Sequence, residues 1–170
     1  MNFVDADPAA PDAVALLAEL SAALAALTGA SGNASFDAAD VRGPRACFVL
    51  AYVGGAAVGC GALRPLSPRV AELKRMYARP GGVGVGSALL AHLEARAFAL
   101  GYSEIWLETR RLNTRAVRFY ERHGYRRIDN YGRYAGMDEA LCFAKGCTGP
   151  AGQPASWQQT HSLLPSGSRT

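Results

Sequence analysis

Residues 70–100 read VAELKRMYARPGGVGVGSALLAHLEARAFAL and divide into three parts. Val70 to Tyr77 is an apolar-alternating run of strand character. Arg79-Pro80 then leads into a glycine cluster, Gly81-Gly82-Val83-Gly84-Val85-Gly86, after which Leu89, Leu90, Leu93, Ala97 and Leu100 recur at helical spacing. A glycine loop between a strand and a helix N-terminus offers backbone N–H groups and the positive end of the helix dipole to a phosphate. A plainer reading, in which the glycines only permit a tight turn and close helix packing, stands beside it. A nucleotide-phosphate loop of the GK[ST] type is excluded, because Ser87 and Ala88 occupy the places of its lysine and hydroxyl residue. A dinucleotide-binding loop stays open as an alternative, with Glu108 as the ribose-binding acid, although its third glycine would fall at Ser87.

Elements on either side follow from the same rules. Asn2 to Ala6 predicts a short strand, and Pro11 starts a helix whose Leu17, Leu20, Leu24 and Leu27 form a core stripe up to Gly29. Gly29 to Asp40 is small and polar, a loop or flap bordering a substrate site. Ala46 to Val53 and Ala56 to Leu63, joined by Gly54-Gly55, predict a β-hairpin. Downstream come a strand at Glu104 to Glu108, a short helix from Thr114 to Arg122, and strands at Arg126 to Ile128 and Leu141 to Lys145. From about Thr148 the sequence turns to Gly, Pro, Gln, Ser and Thr without periodicity, which reads as a tail.

Composition narrows the function classes. The chain of 170 residues has 18 Lys+Arg against 14 Asp+Glu and 49% apolar residues, enough for one full core. The mild basic excess suits a phosphorylated small molecule and is too small to argue for nucleic acid. Val14 to Leu27, the richest apolar stretch, is broken by Glu19 and Ser21, so no membrane role is expected. Asp5, Asp7 and Asp12 stand where a secretory signal would carry basic residues, and a cytoplasmic location is the expectation. The four cysteines form no CxxC pair and read as reduced, buried thiols, with no metal site.

Together, Glu72-Leu73-Lys74-Arg75-Met76-Tyr77, Arg79-Pro80, Gly84-x-Gly86, Ala88-Leu89-Leu90, Gly101-Tyr102, Leu107-Glu108-Thr109, Asn113 and Phe119-Tyr120-Glu121-Arg122-His123-Gly124-Tyr125 resemble the GNAT superfamily of acetyl-CoA-dependent N-acetyltransferases. The resemblance implies an α/β (α+β) domain over residues 1–146, with a mixed, mostly antiparallel central sheet splayed in the middle and flanked by helices, followed by a flexible tail over 147–170. One departure stands out: Gly81 occupies the position where the family usually has Arg or Gln.

By the same resemblance, the acyl arm of acetyl-CoA would lie along the strand before the loop, at Met76, Tyr77 and Ala78, with the Met76 N–H as oxyanion donor. The loop and helix start, Gly82, Val83, Gly84, Val85, Gly86 and Ser87, would hold the pyrophosphate. Asn113 and Ala116 would face the cofactor arm, and Arg115 and Arg118 its 3′-phosphate. Tyr120 matches the family's acid for the departing thiolate; its alternative role is a core aromatic. An alkyl ammonium must lose a proton near neutral pH, so a carboxylate base is needed. Glu72 is the first choice, because it lies four residues before Met76 and alternation would put both on one strand face. A plain ion pair with Lys74 or a nearby arginine is its alternative, and Glu108 is the second carboxylate. The resulting expectation is acetyl transfer to a primary amine of a small molecule, or secondarily to a peptide N-terminus or lysine, by a monomer or homodimer without nucleic-acid partners. A non-catalytic acyl-CoA-binding regulatory module is the rival.

Overall fold

A computed structural model describes residues 1–149. The elements run β1 (Asn2–Asp5), α1 (Pro11–Thr28), β2 (Cys47–Val53), β3 (Ala56–Pro65), β4 (Val70–Ala78), α2 (Val85–Ala99), β5 (Glu104–Arg110), α3 (Thr114–Arg122), β6 (Arg126–Ile128) and β7 (Ala140–Gly146). Each expected element is present at its expected place. Cys147 is still packed into the core, so the folded region continues past β7. Of the tail expected over 147–170, residues 150–170 lie outside the described residues.

The strands form one seven-stranded sheet in the order β1-β2-β3-β4-β5-β7-β6. All its pairings are antiparallel except β4 with β5, which the α2 crossover joins. This excludes the doubly wound parallel sheet that a dinucleotide-binding loop belongs to. β2 and β3 read as nearly continuous apolar runs because both of their faces are covered. On one face α1 packs Ala13 and Leu16 against Phe48, Leu50, Cys60 and Ala62. On the other, α2 packs Leu89, Leu90 and Leu93 against Val49, Leu63 and Leu73. Burying one such leucine contributes about 1.5–3 kcal/mol. β3 can come this close because Gly59 lacks a Cβ, which would stand 2.8 Å from the Tyr77 carbonyl oxygen. The free cysteines Cys47, Cys60, Cys142 and Cys147 are all buried.

α1 begins on Pro11 and ends where Gly29, at φ 76°, donates its N–H to Ala25 O. By length and a hydropathy of 1.4 it is apolar enough to cross a membrane. Its acids are used within the fold instead: Glu19 pairs with Arg79 at 2.7 Å, and Asp12 accepts from the Tyr52 hydroxyl at 2.7 Å.

Candidate active site

β4 and β5 pair only over Val70–Glu72 against Glu104–Trp106. Beyond Glu72 the two strands separate, which leaves the β5-facing edge of Leu73 to Ala78 without a strand partner and opens a cleft of about 250 Å³. Leu73, Lys74, Arg75 and Met76 form one wall and Glu108, Thr109 and Arg110 the other. Asn113, Ala116 and Tyr120 close it from α3; Leu20, Leu24 and the loop residues Ser31, Gly32, Ala34 and Ser35 close it from the side of α1, together with Arg133, Tyr134 and Met137. The splay therefore joins Met76, Glu108, Asn113, Ala116 and Tyr120. It does not join Glu72, Tyr77, Ala78, the residues Gly82 to Ser87, Arg115 or Arg118, which lie outside the walls of this cleft.

Alternation along β4 fails at one point. The register against β3 shifts between Cys60 and Ala62, so that Arg75 and Met76 together occupy the space opposite Gly61. Arg75 takes φ 53° to make the bulge. Consequently Met76 packs with Leu73 and Ala78 on the α2 face. Glu72 turns to the other face, toward Arg64, Lys74 and Tyr131. The expectation that spacing alone puts Glu72 on the Met76 face is corrected here: the inserted residue exchanges the faces.

The two carboxylates have opposite surroundings. Glu72 is 1% exposed, accepts from Arg64 Nε at 2.7 Å and from the Tyr131 hydroxyl at 2.8 Å, and lies 3.7 Å from Lys74 Nζ. Both its oxygens are engaged, as its ion-pair alternative requires. Arg64 also bonds Asp40. Glu108, by contrast, has its buried Oε1 without a hydrogen-bond partner, and the nearest cation is Arg110 Nε at 4.0 Å. Burial raises its pKa above the ordinary carboxylate value, partly offset by Arg110 and Lys74. Lys74 is held over the same cleft, its Nζ donating to the Tyr134 hydroxyl at 2.8 Å, and burial lowers its pKa.

Tyr120 lies across the cleft on the α2–α3 side, 8% exposed and edge-on to Phe119 and Tyr125. Burial raises its pKa, so it stays protonated through neutral and mildly alkaline pH. It is a core aromatic and a cleft wall at once. Asn113 caps α3, its Oδ1 accepting from the Ala116 N–H at 3.2 Å. At the start of α2 the first bond is donated by Ala88 N–H to Gly84 O, so the N–H groups of Val85, Gly86 and Ser87 precede the helical ladder. Val83 is 99% exposed at the loop tip, whereas the Val85 side chain is buried in the core, which leaves only its backbone for a ligand. Gly81 sits at φ 90°, a conformation that disfavours the Arg or Gln of the family pattern. Arg115 and Arg118 are exposed and form no ion pair among the described residues.

Site residues that sequence reasoning did not assign a role are Lys74, Arg75, Arg133 and Tyr134. Arg75 ties the loop to α1 by donating to Ser31 O at 3.1 Å and to Ser21 Oγ at 2.6 Å. The loop expected at Gly29 to Asp40 does border the cleft, but it carries two short 3-10 turns and is pinned rather than free. Tyr134 comes from the segment before β7, where only Ala140 to Gly146 has strand periodicity; a Tyr131, Tyr134 pair at helical spacing was the available signal.

Comparison with known proteins gives one answer. The model of the acetyltransferase (GNAT) family matches residues 16–125. An IAA acetyltransferase of Azospirillum brasilense is 32% identical over 124 residues, which is 71% of this chain and 81% of that protein. Among solved structures, a provisionally assigned acyl-CoA N-acyltransferase from Klebsiella pneumoniae is 26% identical, with a TM-score of 0.72 over 86% of this chain and 97% of its own. A GNAT acetyltransferase from Elizabethkingia anophelis with acetyl-CoA bound shares the fold at a TM-score of 0.63 and 14% identity, over 85% of this chain and 97% of its own.

Proposed function

The chain belongs to the GNAT family of acetyltransferases, and from that premise we propose that this acyltransferase moves the acetyl group of acetyl-CoA directly to a primary amine of a small molecule. The observation that carries the reading is the cleft itself: an unpaired strand edge at Met76, with a protonated phenol on one wall and, on the other, a carboxylate whose buried Oε1 accepts no hydrogen bond.

The residues present fit acetyl-CoA. An open strand edge takes an extended, amide-bearing arm as it would take another strand. The free N–H groups of Val85, Gly86 and Ser87 lie at the positive end of α2, where a pyrophosphate is favoured. Arg115 and Arg118, which form no ion pair among the described residues, are placed on the helix beside it. Bound there, acetyl-CoA supplies an activated acyl group.

The chain's own groups then handle protons and charge. Glu108 takes a proton from the incoming ammonium, and its raised pKa brings it nearer the range a base at neutral pH requires. The Met76 N–H, at the bulge, is the donor for developing oxyanion charge. Tyr120 delivers its phenolic proton to the departing sulfur. Glu72 holds Arg64, Lys74 and Tyr131 in place behind the cleft and is a positioning residue in this reading. The enzyme works in the cytoplasm, where acetyl-CoA is made and used.

The test is thiol release from acetyl-CoA over a panel of primary amines, with acetylated product identified by mass spectrometry. Turnover with any amine supports the reading. Coenzyme A binding without turnover of any amine would favour the rival, a regulatory acyl-CoA-binding module, for which the altered loop at Gly81 speaks.

A further inference from the structure

The cleft is electrically one-sided. Lys74, Arg75, Arg110 and Arg133 stand on its walls against the single carboxylate Glu108. Arg110 is accounted for by Glu139 at 3.0 Å. Arg75 and Arg133 have no carboxylate partner among the described residues, and Lys74 keeps unused donors beside its own. Lys74, 7% exposed, shares Glu72 at 3.7 Å with Arg64, which is itself also paired with Asp40. Its Nζ makes one hydrogen bond, to Tyr134, which leaves two of its three donors for a ligand. Arg75, 9% exposed, bonds only neutral oxygens, those of Leu17, Ser21, Ser31 and Asn33, and its buried Nε has no partner. Arg133, at the rim, bonds the Ala34 carbonyl and no carboxylate among the described residues.

A buried cation with unused hydrogen-bond donors is costly, and beside a cleft those donors are open to the anion of a ligand. The cofactor's phosphates do not supply it. Their place is at the start of α2, whereas Lys74 lies on the opposite face of β4 from Met76 and turns toward Tyr134.

We propose that the acceptor is an aminocarboxylate, whose carboxylate is held by Lys74 with Arg133 at the entrance and whose amine is thereby aimed at Glu108 and Met76. This rests on the acetyl-transfer reading and names its substrate class. In the transfer the nitrogen–acetyl carbon bond forms and the carbon–sulfur bond breaks. Of the two protons the ammonium loses, one leaves through Glu108 to solvent and the other replaces the proton Tyr120 gives to sulfur. One cation-to-carboxylate contact of this kind is worth about tenfold in specificity.

The experiment measures kcat/KM for matched pairs that differ only in the carboxylate, such as 4-aminobutyrate against propylamine and phenylalanine against phenethylamine. At least one aminocarboxylate is expected to exceed its partner by about tenfold or more. In K74M, and independently in the surface variant R133Q, which cannot disturb the core, that ratio falls toward one. Turnover in which every plain amine equals or exceeds its carboxylated partner would overturn this inference and leave acetyl transfer standing. Thiol release with none of the amines would overturn acetyl transfer, and this inference with it.

Discussion

His123 Nε2 lies 3.0 Å from Ser87 Oγ, while its Nδ1 lies 2.7 Å from the Phe119 carbonyl oxygen. Because a carbonyl only accepts, Nδ1 carries a hydrogen, and in the neutral ring Nε2 must accept from the serine hydroxyl. The last turn of α3 is thus fastened to the first turn of α2, the two helix ends that flank the proposed pyrophosphate position. His123→Ala should weaken coenzyme A binding by about fivefold, the value of one hydrogen bond near 1 kcal/mol. Ser87→Ala should do the same, and calorimetry on the double variant should show no further loss. Additive losses would show that the two residues do not act through each other.

Gly84 caps α2 at φ 77°, and a Cβ there would meet no atom within 4 Å. Replacement by valine therefore costs backbone strain of about 1–2 kcal/mol rather than a collision within the protein. The thermal-shift response to coenzyme A should disappear in Gly84→Val while the variant still melts cooperatively. An unchanged response would remove the loop from the binding site.

The order of elements was legible because helices here repeat at three and four, strands alternate, and Gly29, Gly101 and Gly124 mark where helices or turns end. The splay was not legible from spacing; it came with the family resemblance, since strand separation is a relation between residues distant in sequence. The bulge was invisible for a local reason. A glycine at position 75 would have advertised positive φ, but Arg75 adopts 53° while its guanidinium is held by Ser21, Asn33 and two carbonyls. Counting by twos from Glu72 to Met76 therefore arrives on the wrong face. Lys74 and Arg75 were not legible as cations of the cleft because they are ordinary strand residues until Tyr134 and the loop at Ser31 are folded over them.

Glu108 also has a consequence for stability. Its pKa is raised in the folded protein, so between the unfolded and folded values the native state holds the extra proton. Stability must then fall as pH rises through that window, and the cost persists above it. Glu108→Gln should raise the melting temperature at neutral pH, with the gain shrinking as the pH is lowered below the ordinary carboxylate value. A variant less stable than wild type at neutral pH would mean that Glu108 has a partner in solution.

The roles of Glu108, Glu72 and Tyr120 separate in pH–rate profiles taken with one amine. Glu108→Gln keeps shape and removes the base, so turnover should drop near neutral pH and recover as the pH approaches the amine's own pKa of about 10, where free amine no longer needs help. Glu72→Gln weakens the anchor of Arg64 and Lys74 instead. It should lower the melting temperature and reduce turnover by a factor that does not change with pH, because no proton passes through it. Tyr120→Phe retains the ring and its edge contacts with Phe119 and Tyr125 but lacks the proton for sulfur. Its deficit should persist at high pH, where the raised pKa keeps the wild-type phenol intact and the variant still has nothing to donate. Recovery at high pH in Glu72→Gln, with a constant deficit in Glu108→Gln, would exchange the two carboxylates and return Glu72 to the position of base.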